Sequence, residues 1–330
     1  MRKIKNLAIL GDLHFHYKTP ISRIDDYPNT CLEKLDTLLE ICLNRDYKDV
    51  VILGDFFNKP TQPIEYLYKV ITKLDNFKNN NINVYSIYGN HDLIFDKLDR
   101  ASKTSLGLLF KTGFIKELQK EQLESISGYT INLYGYHYPQ IITPVRALEN
   151  TGDVNICCCH RYYNYSYSNT SLTKNNIIDL DYDIYCTGHE HQPYELTRVN
   201  NKLVIRPGRF MRGSSDNYNI EDTSVYMDVI QFMGDKNKPS IQVVREIIPT
   251  KSPNEIFSTK SLTKDNSDKV LSSLSEKVSS LLDKMDFKGS TNSIDVYKIL
   301  DELVEVDSKI KNRIETYLQS EGINRSKIDL

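Results

Sequence analysis

The segment Gly188-His189-Glu190-His191 places two imidazoles two residues apart after a short apolar run. In extended backbone, positions i and i+2 point to the same side, so both rings can face one centre. A His-x-His pair is weak evidence on its own. Here four upstream segments carry the same cargo after strand-like runs: Asp12-Leu13-His14, Gly54-Asp55, Gly89-Asn90-His91-Asp92 and Cys159-His160. Five of the seven histidines of the chain fall in these blocks. Hydrolysis of a phosphodiester needs a nucleophile at neutral pH and neutralisation of charge on the phosphoryl oxygens. Two divalent cations about 3.5–4 Å apart supply both. Such a pair needs a carboxylate bridge and mixed imidazole, carboxylate and amide ligands around it. Asp55 is the expected bridge. Asp12, His14 and His191 would complete one ion, and Asn90, His160 and His189 the other. Nitrogen and oxygen donors without thiolate suit manganese and are compatible with iron, zinc or magnesium. His91 need not bind metal: it can protonate the leaving oxygen or hold a phosphate oxygen, with Asp92 or Asp12 orienting it.

The elements that must position these blocks can be read from periodicity. Ile4 to Leu10, Val50 to Leu53 and Ile82 to Ile87 are buried-strand runs. Between them lie two helical stripes, Leu32, Leu35, Leu38, Leu39 and Cys42 behind Thr30 as N-cap, and Ile64, Leu67, Val70, Ile71 and Leu74 behind Thr61. Strand, helix, strand at this pace means βαβ units and a largely parallel sheet, with chemistry gathered beyond the carboxyl ends of its strands. Residues 101–121 read as helix. Tyr129 to Tyr136, Val154 to Cys159, Tyr182 to Cys186 and Leu203 to Ile205 read as further strands. So many strands predict an α/β fold with two sheets packed face to face between helices, an αββα sandwich spanning residues 1–215. Ser224 to Met233 and Ile241 to Ile248, joined by a turn at Gly234 to Pro239, carry no ligand-type residues and predict a small β cap over residues 216–258. Residues 259–330 read as a linker and a tail of two amphipathic helices, striped by Val270, Leu271, Leu274, Val278 and Leu281, then by Ile294, Tyr297, Leu300 and Leu303. Such a tail either docks a partner or packs back on its own core.

Bulk properties narrow the class. Hydrophobic residues make up 39% and charged residues 26% of 330, the balance of a soluble globular protein. No apolar run reaches the roughly 18 residues needed to span a bilayer, and Met1-Arg2-Lys3-Ile4-Lys5 leads straight into a strand, so a cytoplasmic location without membrane attachment is expected. None of the six cysteines shows zinc-site spacing, and buried free thiols are the expected state. A formal net charge of −2 supplies no global field for nucleic acid, so attraction to DNA would have to come from a local patch and from the cations. Arg206, Arg209 and Arg212 are candidates for contact with a DNA backbone. Arg161-Tyr162-Tyr163 combines a cation with aromatics, which suits an unpaired strand. Ordinary packing is the competing reading of each.

In their order along the chain, Asp-x-His, Gly-Asp, Gly-Asn-His-Asp, His and Gly-His-x-His resemble the motifs of the calcineurin-like metallophosphoesterases. Within that superfamily, Gly54-Asp55-Phe56-Phe57 before a proline-containing loop, Arg206-Pro207-Gly208-Arg209 after the last histidine block, and a β cap followed by a helical tail resemble SbcD-type DNA repair nuclease subunits, phage versions included. The resemblance implies the ligand roles above, manganese as the usual ion, and exonuclease and endonuclease activity on DNA in repair, recombination or replication. It also implies an SbcC-type SMC-like ATPase partner gripped by the C-terminal helices. Pairing of two copies, a homodimer, is left open. The chain departs from the pattern at Asn58, where many relatives have His or Asp, and at Phe15-His16, where Leu-Gly is usual. Two other functions compete: a phosphodiesterase or phosphatase acting on a small nucleotide or other small phosphoester, and a scaffold with a vestigial metal site.

Overall fold

The computed structural model describes residues 1–164, 171–215, 217–221 and 224–258. The chain divides into two compact units, Met1–Leu262 and Thr263–Leu330. The two tail helices expected from the sequence lie outside the described residues. No helix among the described residues is long and apolar enough to cross a membrane.

Two mixed sheets form the first unit. One orders its strands Lys238–Ile248, Val225–Asp235, Asn6–Leu10, Asp49–Ile52, Asn83–Ser86 and Lys116–Glu117. The other orders Arg2–Ile4, Lys120–Ser125, Thr130–Tyr136, Val154–His160, Ile184–Gly188, Lys202–Ile205 and Thr197–Val199. The period-2 alternation of each strand sorts its side chains between two layers. Leu7, Ile9, Val51 and Leu53 meet Ile131, Leu133, Ile156, Cys158 and Cys186 between the sheets. Their neighbours Ala8, Leu10, Val50 and Ile52 turn outward onto the helices Tyr27–Arg45 and Ile64–Asn79. On the far face, Cys157, Cys159, Tyr185 and Val204 pack with Ile177 of the helix Lys174–Leu180. Strands buried on both faces must be largely apolar, as these runs are, and each fully buried aliphatic side chain stabilises the fold by about 1.5–3 kcal/mol. The result is the αββα sandwich. All six cysteines are buried free thiols, and burial pushes Cys31 and Cys42 up to about 12.

Three local expectations are corrected. The first helix starts at Tyr27 rather than behind Thr30, because Asp26 caps the Asn29 N–H and Pro28 sits in the first turn. The expected helix over 101–121 is a short 3-10 stretch, Leu98–Lys103, and a helix Ser105–Thr112 that stops at Gly113. Gly113 adopts the left-handed conformation (φ 70°), and strands follow at Lys116–Glu117 and Lys120–Ser125. The cap expected over 216–258 is not separate. Its hairpin pairs Val225–Asp235 antiparallel with the central strand Asn6–Leu10, with Asp228 opposite Ile9 and Ile230 opposite Leu7. Without it that strand would present an open hydrogen-bonding edge inside the protein. Asp228 is fully buried there and is held by Arg245 through two bonds, 2.7 and 2.8 Å.

Candidate metal centre

Every block of candidate ligands leaves the carboxyl end of a strand. Asp12 and His14 follow Asn6–Leu10, Asp55 follows Asp49–Ile52, and Asn90 to Asp92 follow Asn83–Ser86. His160 ends its strand, and His189 and His191 follow Ile184–Gly188. Two adjacent parallel sheet segments thus feed one crevice, as the topology of such sheets favours. The turns are sharp: His14, Asp55 and His189 all have left-handed backbone, with φ of 50°, 47° and 79°. Side chains held in this region cost on the order of 1 kcal/mol or more each, and such strain concentrates at functional sites.

The structure brings together all seven residues that the sequence proposes as ligands. Donor atoms of Asp12, His14 and His191 lie within 4.8 Å of one another, as do those of Asp55, His160 and His189. Asp55 joins the two groups, its Oδ2 standing 3.6 Å from His14 Nε2 and 3.3 Å from His160 Nε2. Asn90 Oδ1 lies 3.1 Å from the same His160 nitrogen. The other ring nitrogen of His160 is held by the Leu53 carbonyl at 2.7 Å, and Asp12 Oδ1 accepts the His189 N–H at 3.1 Å.

Divalent cations fit this set. Asp12 Oδ2 and His14 Nδ1 are buried polar atoms without a hydrogen-bond partner. The Nε2 atoms of His14 and His191 face each other at 2.8 Å, with Asp12 Oδ2 3.8 Å from the latter. Lone pairs converging on one another are costly unless a proton or a cation lies among them. The electrostatics agree. Burial drives His14 well below the ordinary imidazole value, His189 to about 3 and His191 to about 4, so these rings are neutral bases. Burial also penalises charge on His160, but Asp55 and Asp12 outweigh it and raise this ring to about 10. Burial lifts Asp12 to about 7, whereas His160, His91 and His14 overcome burial at Asp55 and hold its carboxyl well below the usual range.

The remaining candidates divide. His91 is anchored through its backbone N–H to Asp55 Oδ1 at 2.9 Å and through Nδ1 to the Asn58 carbonyl at 3.0 Å. Its ring stands edge-on to His14, centroids 4.8 Å apart. The anchor is a backbone oxygen, so the unusual side chain at position 58 is not what holds the ring. Asp92, expected to orient His91, is corrected to another role: its carboxylate accepts the N–H groups of Phe56, Phe57 and Gly89 and ties two ligand loops together. Burial and the nearby Asp55 raise Asp92 to about 7. The arginines expected at a DNA backbone are mostly committed to the fold. Arg206 is buried between the rings of Tyr163 and Tyr194 and donates to Thr197 Oγ1. Arg212 is buried and donates to the Asn219 and Lys251 carbonyls and to Thr250 Oγ1. Arg209 buttresses the centre through the His191 carbonyl, which accepts its backbone N–H at 2.9 Å. Arg161 lies at the surface and donates to the Pro139 and Gln140 carbonyls.

Sequence reasoning did not single out Tyr138. Its ring stands 5.9 Å from that of His189 and 6.3 Å from that of His160, while Tyr162 lies against His189 at 4.0 Å. Nothing in spacing links residues 138 and 162; only the pairing of Thr130–Tyr136 with Val154–His160 brings their loops together.

Residues 5–193 match the profile of the calcineurin-like phosphoesterase family. A DNA double-strand break repair protein Mre11 of Methanopyrus kandleri is 19% identical over 224 residues, covering 61% of this chain and 48% of that protein. The chain therefore spans about half the length of this curated relative. Among solved structures, a dimetal phosphatase from Danio rerio is similar with a TM-score of 0.46 at 9% identity, over 74% of this chain and 99% of that one. A protein of Thermus thermophilus is similar with a TM-score of 0.41 at 7% identity, over 73% of this chain and 99% of that one.

Proposed function

The chain belongs to the calcineurin-like phosphoesterases, and on that premise we propose that it is a metal-dependent phosphodiester hydrolase acting on DNA, the nuclease subunit of an SbcCD-type complex. The observation that carries the hydrolase reading is the pair of donor groups joined by Asp55. When bound, two divalent cations, with manganese the ion this donor set suits, would activate a water and neutralise charge on the phosphoryl oxygens. The chain's own residues do the rest. Asp12, His14 and His191 would hold one ion and Asn90, His160 and His189 the other. The Asn58 carbonyl accepts the His91 Nδ1 proton, which leaves Nε2 to carry a proton to the leaving oxygen.

Specificity for DNA is supported by the rim. Tyr162 and Tyr138 offer ring surface beside His189. Arg161 precedes Tyr162 in the chain, and Lys18 and Lys59 stand close enough to His16, two residues after His14, to lower its pKa alongside burial. Stacked aromatics beside cations suit an unpaired strand. The Mre11 relative is named as a double-strand break repair protein, which favours the same substrate class. We also propose that the C-terminal segment docks an SbcC-type SMC-like ATPase.

Cleavage assays on linear duplex, hairpin and circular single-stranded DNA, with manganese and then with chelator, test the proposal. Manganese-dependent DNA cleavage is expected. A formal net charge of −2 favours a second reading, a small phosphoester substrate; hydrolysis of bis-p-nitrophenyl phosphate with no DNA cleavage would establish it. Hydrolysis of neither substrate would leave a scaffold.

A further inference from the structure

A cavity of about 310 Å³ lined by none of the candidate metal ligands lies between the helix Tyr27–Arg45, the segment Phe210–Arg212 and residues Pro249–Lys251. Its volume is at the lower end of the range for small-ligand sites. The charge along its walls is one-sided, with Arg23, Lys34, Arg212 and Lys251 against the single carboxylate of Glu33. Two of these cations have their counter-charge. Lys251 pairs with Glu33 at 3.8 Å, both half exposed, and Arg23 is matched by Asp25 through two 2.7 Å bonds. Lys34 does not. It is only 9% exposed, and among the described residues its ammonium meets the Pro249 carbonyl at 2.5 Å and the Phe210 ring at 5.6 Å, both neutral.

An ammonium has three donors, and the carbonyl takes one. Burying such a charge without an anion is costly, and natural interiors pair it. Burial, with Arg212 and Arg23 adding repulsion, pushes this amine down to about 7. Lys34, with donor capacity beyond this one carbonyl, thus lines a cavity large enough for a compact ion.

We propose that this cavity is an anion site that takes a phosphate-class oxyanion, free or as the end of a small phosphomonoester, with Lys34 Nζ as its direct ligand. The guanidinium of Arg212, which also lines the cavity and repels the Lys34 ammonium, supplies positive potential while remaining bonded to the Asn219 and Lys251 carbonyls and Thr250 Oγ1. Phe210 and Ile256 close the apolar side. The site shares no lining residue with the candidate metal ligands, to which the Phe210 N–H links it by donating to the Asp12 carbonyl at 2.7 Å, and it does not depend on the substrate proposed above.

The test uses the full-length chain treated with chelator, titrated with inorganic phosphate by calorimetry, with sulfate and acetate in parallel. One phosphate per chain is expected, bound more tightly than acetate. Lys34→Met keeps the stem and removes the charge; it should weaken phosphate binding at least tenfold and abolish the rise in Tm that phosphate gives the parent. Lys34→Arg should retain binding, so a poorly folded Lys34→Met protein leaves the charge-conserving variant to decide. His189→Ala should bind phosphate unchanged. No phosphate binding by the parent, binding unaltered in Lys34→Met, loss of binding in Lys34→Arg, or loss of binding in His189→Ala would each overturn the assignment.

Discussion

Replacing Gly89 by alanine tests the metal centre through geometry alone, without removing any ligand. A Cβ at position 89 would stand 2.1 Å from Asp55 Oδ1 and 2.4 Å from the Asp55 backbone nitrogen, whereas Cβ contacts under 3.0 Å are essentially never seen. The Asp55 carboxylate, which joins the two donor groups, must therefore retreat by about 1 Å, and a misplacement of that size costs on the order of 100-fold in rate. Overpacking should also lower stability by about 1–3 kcal/mol. Gly113→Ala is the control. Gly113 is left-handed at φ 70° but has nothing within 4 Å of an added Cβ, so alanine there costs about 1–2 kcal/mol of backbone strain and touches no ligand. The two variants should lose similar stability by denaturant titration. Only Gly89→Ala should lose bound manganese, measured by elemental analysis, and fall about 100-fold in hydrolysis of bis-p-nitrophenyl phosphate. A Gly89→Ala protein with full metal content and parental turnover would refute the placement of Asp55 between two cations.

Three further outcomes are expected. His91→Ala should lower hydrolysis by about 10²–10⁴ while keeping manganese at the parental level; because a His91 ring nitrogen lies within 4.8 Å of donors from His14 and Asp55, loss of an ion would make His91 a ligand instead. Loading the centre requires protons to leave His160 and Asp12, which stand at about 10 and about 7. Lowering the pH from 8 to 6 keeps the first proton and adds the second, so manganese affinity by paramagnetic resonance should fall at least about 100-fold, and a flat profile would contradict the pairing of His160 with the two carboxylates. Arg212→Ala should cost about 3 kcal/mol of stability through its lost carbonyl and hydroxyl partners. It should leave the salt dependence of DNA binding unchanged, since a phosphate contact would lower that slope by about one.

Much of the sandwich and its set of candidate ligands was legible before any coordinates, because both are written in local patterns. Strands buried on two faces must be apolar runs, and ligands at their carboxyl ends must follow directly in sequence, as Asp12, Asp55, Asn90, His160 and His189 do. What misled was information carried by distant partners. The hairpin Val225–Asp235 looked independent because it holds no ligands, yet Asn6–Leu10, more than 200 positions earlier, needed its hydrogen bonds. Asp92 looked like a partner for His91 by adjacency, but three backbone N–H groups from two loops claim its oxygens.

By itself the sequence determined which side chains could ligate cations, that they follow parallel strands, and that no thiolate joins them, since residue type and periodicity are properties of the chain alone. The tertiary structure decided which candidate ligands share a centre, that a backbone carbonyl holds the His91 ring while the Asp55 carboxylate holds its backbone N–H, and that Arg206 and Arg212 serve the interior. Those depend on which strands become neighbours and which groups lose water together, and burial and pairing of that kind arise only when the sheets close on each other.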